Sequence, residues 1–164
     1  ITFTGRLLKE KGVLTLVKAF NELKQENVYL FIAGDGDEYN SIRSMNSKHV
    51  ILLGRITSDE IVALLKETDI FCLPSDSEGM PTSVLEAAAC KCYIVTTKQG
   101  GAKELVLDEK HGIIMEDNSL PTVTKALQKV LKDGNIREQG VELTYQRLQE
   151  YFTWDKVAEK VMKL

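Results

Sequence analysis

Ile70-Phe71-Cys72-Leu73-Pro74-Ser75-Asp76-Ser77-Glu78-Gly79-Met80-Pro81-Thr82-Ser83-Val84-Leu85-Glu86-Ala87-Ala88-Ala89-Cys90 runs from a short apolar segment, through a polar turn, into an alanine-rich helical segment. The apolar part is brief and bounded by proline, which suits a buried strand. Pro81 fits the first turn of the helix, where its missing N–H costs nothing.

The same unit repeats outward in both directions. Apolar runs occupy residues 1–5, 28–34, 50–54, 92–97 and, more weakly, 112–115, each followed by turn residues. Between them Val13-Leu14-Leu16-Val17-Phe20-Leu23 has helical spacing, and Ser58 with Glu60 ahead of Ile61-Leu64-Leu65 reads as a capped helix. Strands alternating with helices of this length predict a doubly wound α/β domain. About six parallel strands are expected, in an order near 3-2-1-4-5-6 with helices on both faces. From Leu120 only helical patterns remain: Val123-Leu127-Val130-Leu131, then residues 141–152, then 153–164. Residues 1–164 read as one domain. The chain begins inside a strand pattern without an initiator Met, so an excised domain of a larger protein is expected.

Composition removes several classes. A net charge of −3 with no basic block argues against a nucleic-acid partner. The apolar runs are far shorter than the ~20 residues a spanning helix needs. Cys72, Cys90 and Cys92 have no structural-zinc spacing with the two histidines, and the chain reads as reduced and intracellular. Cys72 is expected as buried filler, and Cys90 and Cys92 as packing residues.

Ligands of such sheets bind at the carboxyl ends of the strands, near the switch in strand order. Behind Pro81 the N–H groups of about Thr82, Ser83 and Val84 would stay open at the positive end of a helix, a ready phosphate site. Glu86 is the one charge on an apolar helix and needs partners or must lose its charge. The vicinal hydroxyls of a ribose would serve; a polar stripe with Thr82 and Ser83 is the plainer alternative. Glu78 stays on the loop, either beside whatever lies beyond the phosphates or as a solvated charge. After the first strand, Arg6 and Lys11 flank the same crevice and would offset a diphosphate, unless they are only a strand-end charge and a surface residue.

Taken together, Gly5-Arg6, Lys11-Gly12, Gly34-Asp35-Gly36, Gly54-Arg55, Pro74-Ser75, Glu78-Gly79, Glu86-Ala87 and Gly100-Gly101-Ala102-Lys103-Glu104 resemble the carboxy-terminal domain of family 4 glycosyltransferases of the GT-B fold. The resemblance runs from Phe3 to Trp154. It implies a retaining transferase whose donor is a nucleotide-diphosphate sugar such as a UDP- or GDP-sugar. Arg6 and Lys11 match the diphosphate cations and Glu78 the glutamate near the transferred sugar; these three are the catalytic candidates. Glu86 matches the ribose-gripping glutamate. Gly79, Met80 and Pro81 match the loop near sugar and phosphates, followed by Thr82 and Ser83 at the helix start, and Arg55 and Ile56 match the segment beside the base. No metal or other cofactor is implied. The partner is a missing amino-terminal domain that holds the acceptor. The implied location is cytoplasmic, at the inner membrane surface if that domain carries the chain there. A sugar-nucleotide epimerase of the same fold and a binding module without catalysis are the alternatives.

Three positions depart from the family pattern: Lys91 stands for a helix-ending glycine and Tyr93 for a proline, both in the turn after the helix, and Pro81 stands where many members carry glycine, a change that bears on specificity for the transferred sugar. Gly34-Asp35-Gly36-Asp37 lacks the third glycine of a dinucleotide fingerprint and is read as a tight turn rather than an Asp-x-Asp metal site. His49 and His111 receive no role. Thr153 is expected to cap a last helix bearing Val157, Val161 and Leu164. Trp154 is expected to dock on its own domain, although the end of the chain would instead touch the missing one if it behaves as in the family.

Overall fold

Strand β1 (Thr2–Thr4) lies at the centre of a parallel sheet and pairs on one side with β2 (Leu30–Ala33), which pairs in turn with β3 (Val50–Gly54). On its other side β1 pairs with β4 (Ile70–Leu73), followed by β5 (Tyr93–Thr97) and β6 (Gly112–Met115). The order is β3-β2-β1-β4-β5-β6, with the reversal between β1 and β4. The computed structural model describes residues 1–162. Leu164 lies outside the described residues, as do the side chains of Val157 and Val161.

The strands carry almost no exposed side chains because both faces are covered, which is why they read as continuous apolar runs. Helix α1 (Val13–Glu22) packs with α2 (Tyr39–Ser44) and α6 (Leu120–Lys132) on one face. Helix α4 (Thr82–Ala89) packs with α3 (Ser58–Lys66) and α7 (Gly134–Tyr151) on the other. A short α5 (Ala102–Leu105) and α8 (Trp154–Val161) complete the fold. Phe3, Phe71, Leu7, Leu16, Ile94 and Tyr93 are fully buried in one continuous core. Cys72 and Cys92 are buried in it and all three cysteines are free.

Four sequence expectations need correction. Thr57, not Ser58, caps α3: its hydroxyl accepts from the Glu60 N–H while Glu60 accepts from the Thr57 N–H. That is a reciprocal capping box, and its three-residue spacing selects Thr57. Helix α7 begins at Gly134 rather than near Val141, because Asp133 caps it by accepting from the Ile136 N–H. Pro81 is the N-cap of α4 rather than its first helical residue. Trp154 does not dock on its own domain; it is 89% exposed. Thr153 does accept from the Lys156 N–H, as a cap should, at 3.4 Å.

The turn after α4 forms despite Lys91. The Cys92 N–H donates to the Ala87 carbonyl and the Lys91 N–H to the Ala88 carbonyl. This is the paired pattern of a helix end with a left-handed residue, and Lys91 takes that role at φ +62°. Its ammonium sits 4.7 Å from the centre of the Tyr145 ring and 3.8 Å from Glu142 Oε2. Tyr93, in the proline's place, buries its ring against Gly140 of α7.

Candidate functional site

Two hollows open at the carboxyl ends of the strands and meet at Gly5, Arg6 and Ile61. The larger, ≈ 540 Å³, lies over β1, β2 and β3 and is lined by Arg6, Asp35, Arg55 and Ile56 among others. The smaller, ≈ 330 Å³, lies at the switch between β1 and β4. Thr4, Arg6, Lys11, Glu78, Met80, Pro81, Thr82, Ser83 and Glu86 line it. Each falls within the size range of small-ligand sites, and their shared wall makes one cleft across the topological switch.

Ten of the eleven candidate residues therefore line this cleft. Gly79 does not; its carbonyl instead accepts from the Gly101 N–H at 2.6 Å.

Loops hold the cleft in shape by backbone contacts. Gly12 takes φ +67° and lies so close to the Pro74 carbonyl that no side chain fits between them. Beside it the Asp76 N–H donates to the Glu10 carbonyl at 2.7 Å, so the 3-10 turn Lys9–Lys11 is tied to the loop after β4. The fully buried Ser75 sits where its hydroxyl reaches the carbonyls of Glu10 and Ser77, both at 3.1 Å. From β5, the Thr97 hydroxyl donates to the Ser75 carbonyl. Gly100 packs its bare Cα on the Glu78 and Gly79 carbonyls. Three loops from β1, β4 and β5 thus fix where Glu78 and the start of α4 stand.

Pro81 has no side-chain hydrogen bond to give α4, and its carbonyl accepts from the Val84 N–H at 3.1 Å. Val84 is therefore committed, which corrects the sequence expectation of three open groups. The N–H groups of Thr82 and Ser83 donate to no other described residue and face the positive end of the helix dipole.

Charges in the smaller hollow are arranged unevenly. Lys11 Nζ donates to Glu78 Oε1 at 2.7 Å, with both side chains largely shielded at 17% and 12% exposure. Arg6 stays exposed at the seam of the two hollows, with no ion pair among the described residues. The Glu86 side chain, exposed at the rim of the hollow, likewise has no hydrogen-bond or ion-pair partner among them, and partial desolvation raises its pKa above the usual glutamate value.

Asp35 accepts from the Gly36 N–H at 2.8 Å, a local turn bond. Among the described residues no group of three His, Cys, Asp or Glu side chains could hold a metal ion. His111 pairs with Asp108 at 2.8 Å, away from the cleft residues. No described helix is long and apolar enough to cross a membrane.

Sequence reasoning missed Thr4 and Ile61, both of which line the cleft. Thr4 was legible in principle: it is a polar residue at the carboxyl end of the central strand.

A six-stranded parallel sheet in this order, covered on both faces and cleft at its switch point, is a GT-B-like α/β architecture. The chain belongs to the family described as Glycosyl transferases group 1, whose model matches residues 1–147. An uncharacterised glycosyltransferase of Methanocaldococcus jannaschii is 27% identical over the whole chain and 44% of its own length. A Campylobacter jejuni alpha-1,4-N-acetyl-D-galactosaminyltransferase, acting on an undecaprenol-linked acceptor by its name, is 32% identical over all of this chain and 47% of its own. The chain thus spans less than half the length of these relatives. Among solved structures, the C-terminal domain of a Francisella tularensis group 1 glycosyl transferase superposes with a TM-score of 0.83 at 22% identity, covering 93% of this chain and 86% of that one. An Anabaena protein solved in complex with UDP has a TM-score of 0.85 at 20% identity, covering 99% of this chain and 48% of the other.

Proposed function

We propose that this chain is the donor-binding domain of a retaining glycosyltransferase that takes its sugar from a nucleotide-diphosphate donor. The observation that carries the reading is the convergence of Arg6, Lys11, Glu86 and the open N–H groups of Thr82 and Ser83 on one hollow. Two phosphates need distributed positive charge, and here it comes from a guanidinium, an ammonium and a helix terminus rather than from a metal. Cations and dipoles fixed before reaction stabilise charge growing on a departing diphosphate without reorganising, which is the largest single source of rate in many enzymes.

In this reading Glu86 accepts from the ribose hydroxyls, and the base lies towards Arg55 and Ile56 in the larger hollow. Glu78 orients the transferred sugar. The acceptor belongs to a second, amino-terminal domain, in keeping with the fraction of its relatives that the chain spans.

Calorimetric titration with UDP, GDP and ADP, each with and without EDTA, tests the reading. One nucleotide is expected to bind with an affinity that chelation leaves unchanged. Binding abolished by EDTA would transfer the diphosphate to a metal and overturn the arrangement.

A further inference from the structure

Thr4 is 3% exposed, its hydroxyl has no hydrogen-bond partner among the described residues, and it lines the same hollow as Glu86. Thr2, two residues earlier and so on the same face of β1, shares its hydroxyl with Thr68 Oγ1 at 2.7 Å, just past the end of α3. Thr4 stands one step nearer the ligand end of the strand, where no described residue offers such a partner. An unpaired buried hydroxyl lowers stability, and valine, with the same shape, would fill the position without that cost.

Glu86 lines the same hollow with an exposed carboxylate that has no protein partner among the described residues. While the hollow is open, water serves its carboxylate. A ligand that fills the space removes that water, yet a carboxylate has about four acceptor sites and two vicinal hydroxyls fill only two. A donor from the protein is then needed, and Thr4 is the buried hydroxyl at hand with nothing else to bond.

We propose that Thr4 is a positioning residue for Glu86: when nucleotide fills the hollow, the Thr4 hydroxyl donates to the Glu86 carboxylate and fixes it for the ribose. This rests on the reading of Glu86 as the ribose acceptor. It gives a hydroxyl that weakens the free protein a purpose in the bound one.

The test compares Thr4→Val, Thr4→Ala and Thr4→Ser by thermal unfolding and by titration with whichever of UDP, GDP and ADP the unmodified chain binds. Thr4→Val is expected to unfold at a higher temperature without nucleotide yet to bind it roughly tenfold more weakly. Thr4→Ala should show the same weakening of binding, whereas Thr4→Ser, which keeps the hydroxyl, should bind within about twofold of the parent. Adding Thr4→Val to Glu86→Ala should change affinity no further, because the acceptor is already gone. Full-strength binding by Thr4→Val and Thr4→Ala, with the parent binding normally, would overturn the Thr4 assignment and leave the donor site standing. If the parent binds none of the three nucleotides, the donor reading and this inference fall together.

Discussion

Lys11 and Glu78, 67 positions apart in the chain, close on each other at 2.7 Å in the mouth of the smaller hollow. The family resemblance implies different parts of a donor for them, diphosphate for the ammonium and sugar for the carboxylate. Without a donor they neutralise one another, so a diphosphate that takes Lys11 must compete with Glu78 for it.

That competition has a measurable sign. Glu78→Gln removes the charge that holds Lys11, so a nucleoside diphosphate lacking any sugar should bind more tightly to this variant, by about three- to tenfold. Lys11→Ala should weaken the same ligand by at least as much. Each substitution should also lower stability by about 1–2 kcal/mol, between the values for exposed and buried pairs. Calorimetry and urea unfolding check both parts; weaker binding by Glu78→Gln would show that the pair does not compete with the ligand.

Glu86 should lower the stability of the free protein at neutral pH. Burial raises its folded-state pKa above the unfolded value, so the folded state takes up the proton more readily. The stability linked to this proton is fully present below the unfolded glutamate pKa, about 4.3, and is lost as pH rises through the folded value. Glu86→Gln should therefore melt above the parent at pH 7, and the gap should shrink as the pH falls towards 4. A gap that widens on acidification would mean that Glu86 is stabilised by an interaction in the folded state.

Lys91 holds a left-handed conformation that glycine would adopt freely. The strain costs roughly 1–2 kcal/mol, whereas the exposed cation–π contact returns roughly 0.5–1 kcal/mol and the exposed ion pair, at 3.8 Å, adds little. Lys91→Gly should raise stability by about 0.5–1 kcal/mol in urea unfolding. A net loss would mean that the contacts to Tyr145 and Glu142 outweigh the strain.

Tyr93 and Gly140 form a tight pair in the core. A Cβ on Gly140 would stand 2.6 Å from Tyr93 Cε2 and 3.0 Å from the Lys110 carbonyl oxygen. Gly140→Ala should cost about 1–2 kcal/mol, despite alanine's better helix propensity. The Tyr93 hydroxyl is buried without a partner among the described residues, and its pKa is pushed up to about 12 by burial. Tyr93→Phe should thus leave stability unchanged or raise it by about 1 kcal/mol, and should relieve none of the Gly140→Ala clash, which falls on the ring edge. Thermal or urea unfolding of the single and double variants checks this.

The strands were legible because each is a short apolar run ended by turn residues, and two of the six, β3 and β6, match the sequence reading at both ends. Arg6, Lys11, Glu78, Glu86 and the start of α4 were legible because they follow strand ends, whereas Arg55, Ile56 and Met80 were named only through the family resemblance. What the sequence hid depends on contacts across the fold. The first two turns of α7 carry Gly134 and Gly140, which argue locally against a helix; Gly140 is required by the Tyr93 ring, 47 positions away. The Lys11–Glu78 pair forms only because the loops after β1 and β4 are bonded together. Trp154 was expected to dock on its own domain, but no neighbour among the described residues covers it.

The central claim, that a diphosphate rests at the start of α4 between Arg6 and Lys11, is tested most directly by following backbone amide resonances during titration with a nucleoside diphosphate. The account predicts that the largest saturable shifts fall on Thr82 and Ser83, with a second group at Ile56, and that Lys11→Ala diminishes them. Shifts that spare Thr82 and Ser83 and gather instead around the separate hollow of Lys66, Lys91 and Arg137 would contradict it.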